Sequence, residues 1–74
     1  MDEQENICMI DKNHFLHVIK QSSAKVLKIE VSFKEKSAAL KWINPEIILL
    51  LTIHSNIAFY HTNSDLKVIK EIKS

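Results

Sequence analysis

The sequence predicts an all-β fold, an antiparallel meander of short strands. Three observations predict it. Apolar runs of five to nine residues recur along the chain, most of them starting about 9 to 12 residues apart. Within them the apolar period is closer to 2 than to 3.6, as half-buried strands require. Between them stand short polar groups built on Asn, Asp, Ser and Pro, the residues of hairpin loops.

The elements follow in order. "MDEQEN" (1–6) is polar throughout and reads as a disordered N-terminus. "ICMID" (7–11) and "HFLHVIK" (14–20) are the first two strands, joined around "KN". In "KVLKIEVSF" (25–33), Leu27, Ile29, Val31 and Phe33 alternate with Val26, Lys28, Glu30 and Ser32, so one apolar face is predicted over the whole segment. In "SAALKWI" (37–43), Ala38, Leu40 and Trp42 alternate with Ala39 and Lys41. Ser37 offers a helix N-cap there, but strand is the stronger reading. "IILLLTI" (47–53) does not alternate, and a continuous apolar run fits a strand covered on both faces. "IAFYHT" (57–62) puts Phe59 and Tyr60 on opposite faces of one strand. "LKVIKEI" (66–72) is read as the last strand. A short C-terminal helix over 64–73 is its alternative, because Leu66, Ile69 and Ile72 fall near helical spacing behind Ser64 or Asp65.

Composition excludes several function classes. Ten Lys balance nine Asp and Glu, and no Arg is present. Such a near-neutral chain lacks the basic patch that phosphate backbones demand, so no nucleic-acid partner is expected. With no Gly in the sequence, neither a GxGxxG turn nor a P-loop can be built. The apolar run is seven residues long, far short of the roughly 20 that a spanning helix needs. The acidic start lacks the positive region of a secretory signal, and the single Cys8 forms no intrachain disulfide. A cytoplasmic protein without a transmembrane segment is expected.

The chemistry-bearing residues give little. Cys8, His14 and His17 form C-x5-H-x2-H, but an odd separation puts His14 and His17 on opposite faces of a strand. Structural zinc favours paired ligands. These histidines, with His54 and His61, are read as surface or turn residues, and no metal or other cofactor is expected. Cys8 in "ICMI" reads as a small buried hydrophobe rather than a nucleophile. Asp11, Glu30 and Glu46 are scattered, with no pairing visible, so no enzyme is expected. Trp42, Ile48, Leu50, Phe59 and Tyr60 are the candidate interface residues, since large aromatic and aliphatic anchors dominate binding surfaces. Lys67, Lys70 and Lys73 read as a solvated edge with at most weak peripheral membrane contact, because Glu71 dilutes the patch.

Residues 37–73 run strand "SAALKWI", turn "NPE", strand "IILLLTI", turn "HSN", strand "IAFYHT", turn "NSD", strand "LKVIKEI". This order, with Trp42 ahead of the Pro45 turn and Tyr60-His61 closing the third strand, resembles one blade of a WD40-type β-propeller. Residues 7–36 then read as a more divergent preceding blade, so the fold expected is one to two four-stranded meanders. The departures are the missing Gly-His and Trp-Asp pairs and the missing Asp-Gly turn. They leave the family's Asp-His-Ser/Thr-Trp hydrogen-bond network absent or degenerate. Among divergent propellers, the stretch is similar in pattern to the N-terminal propeller of the Bulli-type subunit of the Mon–Ccz complex. That resemblance implies a trafficking role, possible only beside further blades or other subunits, since a propeller closes with at least four. The chain is accordingly expected to be a fragment or one piece of a larger assembly.

The function expected is a non-catalytic protein–protein interaction scaffold in an intracellular complex, with endosomal or vesicle trafficking as its setting. Its partners are other proteins or further blades. The alternative is a small independent β-sheet domain that dimerises through strand 47–53.

Overall fold

A computed structural model describes residues 6–21, 24–63 and 65–74. The described residues are all-β, with seven strands among them: β1 Ile7–Ile10, β2 Phe15–Lys20, β3 Lys25–Glu30, β4 Ser37–Asn44, β5 Ile47–Thr52, β6 Ile57–His61 and β7 Lys67–Ile72. They form two antiparallel meanders, β1-β2-β3 and β4-β5-β6-β7, each in chain order. Among the described residues there is no helix. Both segments with a helical alternative hold strands instead, β4 over Ser37–Asn44 and β7 over Lys67–Ile72, each paired along its neighbour in the sheet. No helix of the described residues is long and apolar enough to cross a membrane. The disorder expected for residues 1–6 and the Ser64 cap lie, Asn6 apart, outside the described residues.

The two sheets share one core. Leu16 and Val18 from β2, Ile48 and Leu50 from β5, and Ala58 and Tyr60 from β6 are all buried, joined by Val31, Phe33 and Leu66. Cys8, Ile10, Leu27, Ile29, Leu40 and Trp42 pack around them, half-buried. Strand β3 ends at Glu30, earlier than the alternation predicts. The apolar face nevertheless continues: Val31 and Phe33 stay buried in the connection to β4. Side-chain alternation outlasts the hydrogen-bonded ladder because burial, not pairing, selects those residues.

Within the chain, strand β5 is covered on one face only, and the expected cover of its second face is not supplied by the described residues. Its burial alternates, with Ile48, Leu50 and Thr52 buried and Ile47, Leu49 and Leu51 half-buried. Only the first set faces the other meander. Strand β5 also lies inside its sheet, paired to β4 on one side and β6 on the other. Dimerisation by edge pairing through this strand is therefore blocked, and only its outward face is open.

Without Gly, the left-handed positions fall elsewhere. His14, Ala24 and Ser55 have φ of 66°, 54° and 66°. Each closes a hairpin with the same hydrogen bond, its N–H donating to the carbonyl three residues back: Asp11, Gln21 and Thr52. A turn followed by a left-handed residue is a common three-residue hairpin loop, and Gly is its preferred last residue. Of the residues expected to make turns, only Ser55 takes such a position among the described residues. A side chain with Cβ costs about 1–2 kcal/mol there, partly offset by the greater chain entropy that Gly loses on folding. Ser55→Gly is therefore expected to stabilise the fold by about 0.5 kcal/mol and raise Tm by a few degrees in thermal denaturation. The Asn44–Ile47 turn works differently. Asn44 Oδ1 accepts from the N–H groups of Glu46 (2.8 Å) and Ile47 (2.9 Å).

Candidate functional site

The candidate interface residues divide by strand alternation. Ile48, Leu50 and Tyr60 are 0–1% exposed and face the three-stranded sheet. They are anchors between the two meanders of one chain and are closed to any outside partner. Trp42 lies half-buried on the same inner side, opposite Ile48 in the ladder. Its indole Nε1 is buried and makes no hydrogen bond among the described residues. Phe59 alone of the five points outward, paired across to Leu49 on one side and Lys70 on the other.

That outward face carries half-buried apolar residues on the side away from the shared core. The ladder registers align Ala39, Leu51, Ile57 and Ile72 in one cross-strand row and Lys41, Leu49, Phe59 and Lys70 in the next. Strand β7 departs from regular pairing where Ile69 bulges out between Phe59/Lys70 and Tyr60/Val68. Bulges and edge lysines both discourage stray pairing of an edge strand, so β7 offers a face more than an edge. The face was hidden in the sequence because residues 47–51, "IILLL", carry their inner and outer sets without any polar contrast.

Two polar clasps hold the ends of the sheets. In the β1–β2 turn, Asp11 Oδ1 accepts from the N–H groups of Asn13 (2.8 Å) and Phe15 (3.1 Å), while Oδ2 bonds His17 Nε2 at 2.7 Å. The His17 bond above all, then the backbone donors, lower the Asp11 carboxyl to about 2. In the second clasp, Glu35 of the inter-sheet connection accepts from the Thr52 hydroxyl and from Asn56 Nδ2. These bonds, the Thr52 one first, hold Glu35 below its ordinary range. The Thr52 oxygen in turn accepts from the N–H groups of His54 and Asn56. Ser74 closes the network, its N–H on Asn56 Oδ1 and its hydroxyl on the His54 carbonyl.

Sequence reasoning missed both clasps. Asp11, Glu30 and Glu46 looked scattered, yet each has a partner: His17, Lys34 and, at 3.5 Å, His61. The spacing D-x-N of Asp11 and Asn13 carries a local turn signal. Nothing local links Glu35 to Thr52, because the topology alone brings them together.

A cleft of about 320 Å³ opens between the clasps, with Asp11, His14, Glu35, Lys36 and Ser37 on its walls. Its two carboxylates are already engaged and held ionised at neutral pH, so neither is suited to donate a proton there. Burial raises the pKa of the Cys8 thiol, the wrong direction for a nucleophile. Among the described residues no three His, Cys, Asp or Glu groups gather as metal ligands. His14 sits in the turn ahead of β2, and His17 is taken by Asp11.

The clasps make the fold acid-sensitive. Both carboxyls titrate lower in the folded chain than when unfolded, so they stabilise it above their ordinary values of 3.8 and 4.5. That stabilisation is lost as pH falls, for Asp11 until about pH 2. Circular dichroism between pH 6 and pH 2 is expected to show an acid transition below about pH 4, flattened in Asp11→Asn.

Compared with protein-family models, curated protein sequences and solved structures, the chain gives no match.

Proposed function

We propose that the chain is a non-catalytic protein–protein interaction module, a pair of propeller-like blades. The observation that carries this reading is the outward apolar face of the four-stranded sheet, which lies opposite a complete core. A sheet packed on one side and apolar on the other has the pattern of a layer with neighbours on both sides. The connection from β3 to β4 supports the blade reading, since it leads from the edge of one meander to the first strand of the next. So does the clasp of Glu35, Thr52 and Asn56. It joins this connection to the β5–β6 turn by carboxylate, hydroxyl and amide, a degenerate counterpart of the WD40-type network. Saturated carboxylates and the raised Cys8 pKa argue against catalysis.

The partners are proteins or further blades, and the setting is the cytoplasm, which a single unpaired thiol fits. A trafficking complex of the Mon–Ccz kind is the first setting to test, on the resemblance of residues 37–73.

Sedimentation velocity of the chain with an ANS fluorescence measurement tests the reading. An open apolar face is expected to give either self-association or bright dye binding that Leu49→Asp reduces. A monomer that leaves the dye dark overturns it.

A further inference from the structure

The stack of two sheets has two outward faces, and each carries a row of apolar residues. On the four-stranded sheet the rows are Ala39-Leu51-Ile57-Ile72 and Lys41-Leu49-Phe59-Lys70. On the three-stranded sheet they are Ile7-Ile19-Val26 and Met9-His17-Lys28. Val26 is 67% exposed, Met9 51% and Ile7 43%. We propose that a second copy of this chain covers each face, head to tail, with the four-stranded face of one copy on the three-stranded face of the next, closing a ring. The proposal rests on the interaction-module reading above and names the occupant of that surface.

Charge argues for head-to-tail stacking over self-pairing of one face. Neither of these two rows of the four-stranded face holds an Asp or Glu, while Lys41 and Lys70 flank the central Leu49 and Phe59; Glu46 lies beyond them, against His61 of the next row. Two such faces pressed together would set lysines against lysines, a juxtaposition that costs affinity. The three-stranded face is mixed instead. Lys28 stands on it, but so do Glu30, across from Phe15 and paired with Lys34, and the Asp11 carboxylate that backs His17.

Area argues the same way. Four strands about 4.8 Å apart, each about 20 Å long, offer a footprint of roughly 400 Å². A single contact of that size is below what a stable pair of proteins buries. A ring uses both faces of every copy and so doubles the buried area per chain. Inside the chain, Leu16 and Val18 already meet the Ile48 and Leu50 side of the other sheet, so the new contact repeats a sheet-on-sheet packing the sequence already makes. Head-to-tail contacts either close or grow without limit. Twisted blades close at about four to eight sheets, hence about two to four copies of a two-sheet chain.

Native mass spectrometry and sedimentation velocity of the full chain test this. The expected result is one discrete oligomer of two to four copies. Val26→Asp blocks the three-stranded face and Leu49→Asp the four-stranded one. Each alone is expected to be monomeric with an unchanged circular dichroism spectrum, and a 1:1 mixture is expected to form a heterodimer through the two intact faces. Ile72→Lys, at a 42% exposed position of the same four-stranded face, replaces Leu49→Asp if that variant loses its spectrum. A Val26→Asp variant that still associates means that one face pairs with itself, and it overturns the proposal. An unbounded size distribution overturns ring closure. A wild-type monomer with bright ANS fluorescence overturns the ring but leaves the interaction module standing, whereas a monomer with a dark dye sinks both.

Discussion

Tyr60→Ala is expected to unfold the protein at 25 °C. The ring is fully buried between the sheets, against Leu16, Val18, Ile48 and Leu50. Truncating a buried aromatic costs about 3–5 kcal/mol, from lost transfer energy and the cavity left behind. A chain of 74 residues has little to lose. At the lower end of the range for small domains its whole stability is about 4 kcal/mol. Two controls separate the causes. Tyr60→Phe keeps the ring and loses the hydroxyl that bonds Ser32, through its N–H at 3.4 Å and its side chain, so about 1 kcal/mol is expected. Phe59→Ala removes an equally large ring one residue away, on the half-buried outward face, and about 1 kcal/mol is expected there too. Urea denaturation followed by circular dichroism reads all three. Similar losses for Phe59→Ala and Tyr60→Ala would mean that the outward face is as well packed as the core.

That pair of neighbours shows what a sequence conveys. Opposite faces for Phe59 and Tyr60 follow from the two-residue repeat of any strand, and so do the strand positions of Leu27, Ile29 and Leu40. Which of the two faces is the core does not follow, because both residues are large and aromatic. The same ambiguity hid the sides of β5: the five residues from Ile47 to Leu51, without polar contrast, fit cover on both faces as well as on one. Trp42, Ile48, Leu50 and Tyr60 drew notice as anchors and proved to face the partner sheet of their own chain. The left-handed turns were illegible for another reason. His14, Ala24 and Ser55 occupy positions where Gly is usual, and a chain without Gly gives no sign of where those positions are. The clasps were out of reach because the hydrogen bond between Thr52 and Glu35 spans 17 residues, and only the packing of two sheets closes that distance.

Thr52 is where the second large effect is expected. In the sequence it merely interrupts an apolar run; in the fold it is 2% exposed and the centre of a network. Its hydroxyl donates to Glu35 and accepts from the His54 and Asn56 N–H groups, at 3.3 and 3.2 Å. Thr52→Val keeps the shape and deletes every one of these bonds. It leaves two part-buried turn N–H groups short of a partner, at a cost of about 1–3 kcal/mol. Thr52→Ser keeps the hydroxyl and loses one buried methyl, about 1 kcal/mol. The loss in Thr52→Val is also expected to change with pH. The Thr52 bond is the largest cause of the lowered Glu35 pKa, so removing it returns Glu35 toward the usual carboxylate range. The stabilisation at stake exists only where Glu35 is ionised, above its ordinary value of 4.5, and fades as pH falls. The gap between wild type and Thr52→Val is therefore wide at pH 7 and narrower at pH 3. A cycle with Glu35→Gln isolates the pair, because two residues that share one bond do not add. With Glu35→Gln in place, Thr52→Val is expected to cost clearly less than it does alone. Full additivity in that cycle, with a gap unchanged between pH 7 and pH 3, would mean that the clasp contributes nothing and that Thr52 is held by packing alone.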